Sequence, residues 1–399
     1  MNLLQHKSGR SFIAFAYYFA EGAPIGFIWW AMPTLMRQHG VEINTITAFT
    51  AMLTLPWVFK FLWAPLVDVL RSPRFGFTHF ITWSQLLMCL TLLPLLFIPL
   101  EENVMWWGVF LFLHSLSAAT QDVSVDAMVI NAVAKQEKGM LNGYMQAGLL
   151  TGRSIFGGAA LIFIPTVGLT TTVAFMIASI LSIMLLRFFI NEPVTVVVVT
   201  TQLADFKKNL IEIFRQKQTW YTIAFALTAA AAFEAAGGMS GAFLTDQHMD
   251  MKSIGFFFGV PVVVAMTLGG LAGGFLSDKM SRKTSVTIFL FGFVLPITAI
   301  SVNGSINPQA SDFMWMTLFA GMYFFTGMFT ASSYALFMDV TNPKLGATEF
   351  STFMAATNGC EAWVVWSAGI LAASHGYSVV FLIMCVVSLF SLFFLWKID

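Results

Sequence analysis

Seven ionisable side chains, Glu21, Lys60, Asp122, Asp126, Arg153, Glu234 and Glu361, fall inside long apolar runs of the sequence. A charge at the centre of a membrane-spanning helix costs about 3 kcal/mol even on a lenient insertion scale, so each needs a partner, a cavity or a task. Counting about 1.5 Å per helical residue from the nearest polar end puts Asp122 and Arg153 both about 20 Å deep, with Asp126 and Lys60 at about 12–14 Å. Matching depths predict two acid–base pairs, Asp122–Arg153 and Asp126–Lys60. Asp122 and Asp126 are four apart, so they share one helix face and repel unless cations stand between them. Either the pairs are static and pin three helices together, or they break and re-form as a proton or an anionic ligand arrives. Buried pairs stabilise poorly compared with apolar packing, which favours the second reading.

Glu234 and Glu361, about 22 Å deep, have no cation near them in the second half of the sequence. A carboxyl out of water is cheaper neutral than charged, which makes these two, with Glu21, candidate proton carriers. For Glu361 the alternative is a protonated acid hydrogen-bonded to a neighbouring helix. Gly22, Pro24 and Gly26 surround Glu21, and Gly237, Gly238 and Gly241 follow Glu234, permitting a bend or a close helix contact. Tyr17, Trp29, Trp30, Tyr144, Tyr323 and Tyr334 lie near enough to the charges to stack on a planar ligand.

The elements that must hold these residues are dictated by composition. The chain has 399 residues, 58% hydrophobic and only 10% charged, too apolar for a water-soluble fold to bury. Runs near or above the roughly 20 residues that cross a bilayer recur throughout. Without water, backbone groups must pair within the segment, which selects helices, and the runs are continuous rather than alternating as barrel strands are. Spans are expected near 11–36, 45–68, 77–100, 104–133, 140–165, 168–190, 219–246, 253–276, 284–302, 312–338, 346–373 and 376–396: an all-α polytopic membrane protein of 12 transmembrane helices. With both termini cytoplasmic, nearly every Lys and Arg outside the spans falls on the inner side and only Arg37 and Lys252 on the outer.

The longest polar interruption, 191–218, divides the chain into six-helix bundles at 1–190 and 219–399. Within it Leu203, Phe206, Leu210 and Phe214 recur at helical spacing beside Lys207, Lys208, Arg215 and Lys217, as expected for a helix lying at the lipid surface. The halves echo one another: Asp68 closes the second span as Asp278 closes the eighth. Shifted by the same interval, Glu21 falls three residues from Glu234 and Arg153 two from Glu361. Parallel six-helix repeats are a transporter architecture.

The string GFLSDKMSRK at 274–283 resembles the signature loop of the major facilitator superfamily, with Ser281 at its second glycine. That resemblance implies the major facilitator fold and makes Gly274, Asp278 and Arg282 gating residues. In the degenerate first-half copy only Asp68 carries over. FKFLWAPLVD at 59–68, ATQDVSVDA at 119–127 and GRSIFGG at 152–158 are similar to the AmpG-like permeases, a group that includes muropeptide and acetyl-CoA carriers and siderophore permeases of the RhtX/FptX kind. The muropeptide permeases of that group are longer by two helices, which favours the twelve-helix siderophore branch.

Six scattered histidines and three cysteines within apolar runs offer no metal-ligand spacing, and neither a phosphate-binding loop nor a nucleophile motif occurs. The reading is therefore a non-enzymatic, alternating-access secondary transporter without cofactor or metal, expected in the inner membrane of a bacterium and driven by a proton gradient as a symporter. Its expected substrate/proton-binding residues are Glu21, Lys60, Asp122, Asp126, Arg153, Glu234, Glu361 and Tyr323, and it is expected to act as a monomer without nucleic-acid partners. A siderophore is the first-ranked solute and a muropeptide the second; efflux and a non-transporting sensor are the other readings.

Overall fold

A computed structural model describes residues 2–69, 75–100, 103–132, 138–192, 211, 214–306, 310–341 and 346–398. Twelve spanning helices follow in chain order: α1 (Lys7–Gln38), α2 (Ile43–Val69), α3 (Phe77–Leu96), α4 (Val104–Ala132), α5 (138–167), α6 (Leu169–Phe189), α7 (Lys217–Asp246), α8 (Met251–Lys279), α9 (Arg282–Ile306), α10 (Asp312–Val340), α11 (346–375) and α12 (377–395). Gly376, at φ 77°, breaks the last continuous stretch into α11 and α12, and Gly168, at φ 85°, separates α5 from α6. Only glycine takes that left-handed backbone without strain. The second half of α4 is unusually polar for a spanning helix, carrying Gln121, Asp122, Ser124 and Asp126.

The helices form two compact units. The first holds Met1–Met32 and Phe59–Leu203, the second Pro33–Val58 and Ala204–Asp399. This grouping departs from a division into 1–190 and 219–399 in one segment, 33–58. The reason is local: a Cβ at Gly241 of α7 would collide with the Thr34 hydroxyl, one at Gly369 of α11 with the Thr47 hydroxyl, and Asn358 Nδ2 donates to the Trp57 carbonyl at 3.2 Å. Most of the expected linker helix in 191–218 lies outside the described residues.

Lipid tails are as apolar as leucine, so helices in a bilayer associate through close packing of small residues rather than through hydrophobic exclusion. In the first unit α1 and α5 meet backbone to backbone. A Cβ on Gly22 or Gly26 would strike Leu149 or Arg153 backbone atoms, and one on Gly148 or Gly152 the carbonyls of Phe15 or Phe19. In the second unit α8 and α10 meet in the same way, through Gly269 and Gly273 against Phe324 and Met328, and through Gly327 against the Met266 carbonyl. Below the α1–α5 crossing a core of Ile13, Tyr17, Val67, Ile81, Val125 and Met145 fills the bundle. Beyond α6, Glu192 caps α3 by accepting from Phe77 N at 2.8 Å and Thr78 N at 2.5 Å, where the helix dipole favours a carboxylate.

Among the described residues three turns are wound as π-helix: Phe27–Ala31 in α1, Ser154–Ala159 in α5 and Phe258–Val262 in α8. Such bulges are frequent at functional sites. The first follows Pro24, whose missing amide loosens the α1 ladder.

Candidate functional site

The first unit concentrates its buried charge where α1, α2 and α4 converge. Lys60 of α2 is ion-paired with Asp122 of α4. Tyr18 of α1, buried, reaches both α4 carboxylates: its hydroxyl is 2.5 Å from Asp126 Oδ1 and 3.2 Å from Asp122 Oδ1. A hydroxyl carries one hydrogen, so the shorter contact marks Asp126 as its acceptor. The α-helical repeat makes this possible, because Asp122 and Asp126 are four apart on one face and Tyr18 is three residues before Glu21 on α1.

The pairing differs from that expected by depth. Lys60 takes Asp122 rather than Asp126, one turn farther along α4, and Asp126 takes the Tyr18 hydroxyl. A lysine stem spans more than a turn, so counting depth from uncertain helix ends cannot separate i from i+4. The Arg153 guanidinium lies over the Trp30 ring, 5.2 Å from its centroid. Trp30, 4% exposed, sits in the π-helical turn of α1 and packs where a Cβ on Gly157 would touch its ring at 2.8 Å. Glu21 is buried beside Gly22, at the α1–α5 crossing. Of the aromatics named from sequence, Trp30 therefore meets a charge, whereas Tyr17 is in the core. Tyr18 went unmarked, although its place on the Glu21 face was legible.

In the second unit α7 is interrupted at Ala229–Ala230 and resumes at Ala231. The freed backbone groups find partners on two other helices: Trp363 Nε1 of α11 donates to the Leu227 carbonyl at 2.8 Å, and Ala232 N donates to Ser388 Oγ of α12 at 2.8 Å. Glu234 falls in the first turn after the break. Cys360 of α11, fully buried, is within electrostatic reach of both Glu234 and Glu361. Tyr323 of α10 is 2% exposed, with its hydroxyl 3.4 Å from Ser240 Oγ and its ring edge-to-face with Phe233.

Two further ionic clusters stand at the ends of the second unit. Arg282 donates to Asp278 at 2.8 Å and to Asp339 at 2.9 Å, and also reaches Ser277 Oγ at 2.9 Å. Asp339, at the end of α10, completes the cluster predicted around Asp278 and Arg282. Gly274 has open space where a Cβ would stand, so close packing does not require a glycine there. The side chain of Asp68 lies outside the described residues. At the opposite end Arg37 Nε donates to Asp246 Oδ1 at 2.7 Å and Tyr377 to Asp246 Oδ2 at 2.7 Å. Arg37 also donates to the Val41 carbonyl at 3.1 Å.

The first unit holds two carboxylates, one ammonium and one phenol in hydrogen-bond contact and a stacked guanidinium; the second, by itself, holds Glu234 beside a broken helix. The first set can hold and release a proton and can receive an anionic group. Among the described residues no cluster of His, Cys, Asp and Glu suits a metal ion.

A family model described as Major Facilitator Superfamily matches residues 11–295 and 240–399. The chain is 24% identical over 386 residues to the anhydromuropeptide permease of Escherichia coli (strain K12), across 94% of this chain and 76% of that protein. It is 22% identical to a protein named putative transporter AmpG 4 of Rickettsia conorii, across 98% of this chain and 97% of that one. A D-xylose-proton symporter structure superposes with a TM-score of 0.77 at 10% identity, over 97% of both chains, a likeness of fold.

Proposed function

Since the chain belongs to the major facilitator superfamily of secondary transporters, within its AmpG-like permeases, we propose that it imports an anhydromuropeptide-like sugar–peptide, coupled to protons, across a bacterial inner membrane. The name of the Escherichia coli relative favours this solute over a siderophore. Length is no obstacle, since the Rickettsia relative is matched over 97% of its own length.

The observation that carries the coupling is the Lys60–Asp122 pair, with the Tyr18 hydroxyl set between Asp122 and Asp126. Two carboxylates facing one ammonium leave an excess negative charge, which one proton neutralises. Protonating Asp122 frees Lys60, while Tyr18 can pass its hydrogen bond from one carboxylate to the other without moving its ring. A proton is thereby converted into a change of contact among α1, α2 and α4. Arg153, stacked on Trp30, is the cation suited to a substrate carboxylate, because a guanidinium offers a planar fork. In the orientation given by the charge asymmetry, Arg282–Asp278–Asp339 is an inner latch and Arg37–Asp246–Tyr377 an outer one.

Uptake of labelled anhydromuropeptide into right-side-out vesicles, with and without a protonophore, tests the reading. Uptake that collapses with the protonophore is the expected result. Uptake that ignores it removes the coupling, and transport of a ferric siderophore in preference to the sugar–peptide removes the substrate.

A further inference from the structure

Along α3 and α4 a second set of polar residues is fully buried: Gln85 of α3 and His114, Ser115 and Gln121 of α4. Five of their polar atoms have no hydrogen-bond partner among the described residues: Gln85 Oε1 and Nε2, His114 Nε2, Ser115 Oγ and Gln121 Oε1. Their other contacts orient them. His114 Nδ1 is 3.0 Å from the Met88 carbonyl and 3.4 Å from Thr91 Oγ1, and Gln121 Nε2 donates to the Tyr17 carbonyl at 3.0 Å. Buried polar atoms are almost always paired with protein or with ordered water, so several orphans in one place call for an explanation.

Their spacing supplies it. His114 and Gln121 are seven apart, as are Ser115 and Asp122, so two tiers of polar groups lie about 10 Å apart along α4, on two adjacent lines about 100° from one another around the helix. Between the tiers Ala118 falls near the first line and Ala119 near the second, both fully buried, the smallest side chains that keep a helix regular. Gln85 is three residues from Met88, hence on the α3 face that His114 touches. At the α3–α4 turn Phe97, Asn103, Trp106 and Phe110 line a shallow groove open to the surface, and Phe110 is one turn from His114.

We propose that Gln85, His114, Ser115 and Gln121 hold a file of internal waters that carries protons along α4 from the α3–α4 turn to Asp122. The proposal rests on the proton-coupled reading above and identifies the route by which that site is charged. Each water accepts a proton on one side and releases one on the other, so the file is unchanged. The last transfer turns the Asp122 carboxylate into a carboxylic acid and breaks its pairing with the Lys60 ammonium. His114 and the two glutamines serve as fixed hydrogen-bond stations, and the alanines put the least side-chain bulk between the tiers. In the proposed orientation the turn faces the outside, where the protons are supplied.

Two measurements test it. Radiolytic hydroxyl-radical labelling of the purified protein should oxidise Met88 and His114 well above Met239, an equally buried methionine of α7, because bound water generates the radical in place. In Ala118→Val and in Gln85→Leu that labelling should fall at least fivefold. The same variants should lose gradient-driven uptake of labelled anhydromuropeptide about tenfold, while counterflow exchange, which requires no net proton movement, stays within twofold. No labelling above Met239 overturns the proposal. So does labelling that falls while gradient-driven uptake remains at the wild-type level. Wild-type uptake indifferent to a protonophore is a different failure, removing the coupling itself and this route with it, whereas failure of the route alone leaves protonophore-sensitive uptake intact.

Discussion

Replacing Asp122 by Asn and Lys60 by Met, singly and together, separates a strut from a switch. Removing one member of a buried ion pair costs about 3–5 kcal/mol, since the survivor is left charged and unpaired. Here the side chain of Lys60 is 26% exposed and that of Asp122 8%. Asp122→Asn strands the more hydrated partner and should cost about 3 kcal/mol, a factor of roughly 150 in the folding equilibrium. Lys60→Met strands the less hydrated partner, and the Tyr18 hydrogen is already given to Asp126, so about 4 kcal/mol is expected. The double variant strands neither charge and should cost about 2 kcal/mol, less than either single change, giving a coupling energy of about 5 kcal/mol. Denaturation of the detergent-solubilised protein gives the stabilities, and uptake in vesicles gives the function. If the pair is a switch, all three variants lose gradient-driven uptake although the double variant regains stability. A double variant that transports like the wild type would refute the switching mechanism, and single variants as stable as the wild type would refute the pair.

Further outcomes follow from the packing and the latches. Gly26→Ala places a Cβ 2.5 Å from the Arg153 Cα and should destabilise by about 1–3 kcal/mol. Gly274→Ala meets nothing within 4 Å and should be neutral or slightly stabilising in thermal unfolding. Cysteines replacing Arg37 and Asp246, joined by a short cleavable crosslinker, should stop uptake until the link is reduced; crosslinked protein that transports normally would show that this latch does not open. Asp250 caps α8, and the Ser253 hydroxyl and the backbone amides of Ser253 and Lys252 hold its carboxyl below the ordinary carboxylate range. Its stabilising contribution is present above about pH 4 and lost as pH falls through the depressed native value. Asp250→Asn should keep the cap but flatten that acid dependence in melting curves taken from pH 6 to pH 3.

The spans were legible because the cost of exposing backbone to lipid leaves little freedom in where an apolar run of this length can go. The interior charges were legible for the same reason: Asp122 and Arg153 are expensive wherever they sit, so their presence alone marks them. Pairing was less so. Lys60 reaches Asp122 instead of Asp126, a difference of one turn, which lies within the uncertainty of any depth counted from a helix end. Arg37 entered only as one of two positive charges on the outer side, because its partner Asp246 lies 209 residues away, and Asp339 carries no mark in the sequence because an acid at a helix end is ordinary. Tyr18 was hidden among the many aromatics, a class in which most members only pack. The solute leaves no residue-level mark comparable to a buried charge.

The interruption of α7 has a mechanical consequence. Its two segments are pinned by an indole from α11 and a hydroxyl from α12, so the rod cannot flex at Ala229–Ala230 while its neighbours stand still. Any swing at that joint either drags both companions along or leaves a backbone carbonyl and an amide bare in hydrocarbon. The three helices are thereby geared into one moving part, and Glu234, one turn past the pivot, rides on it.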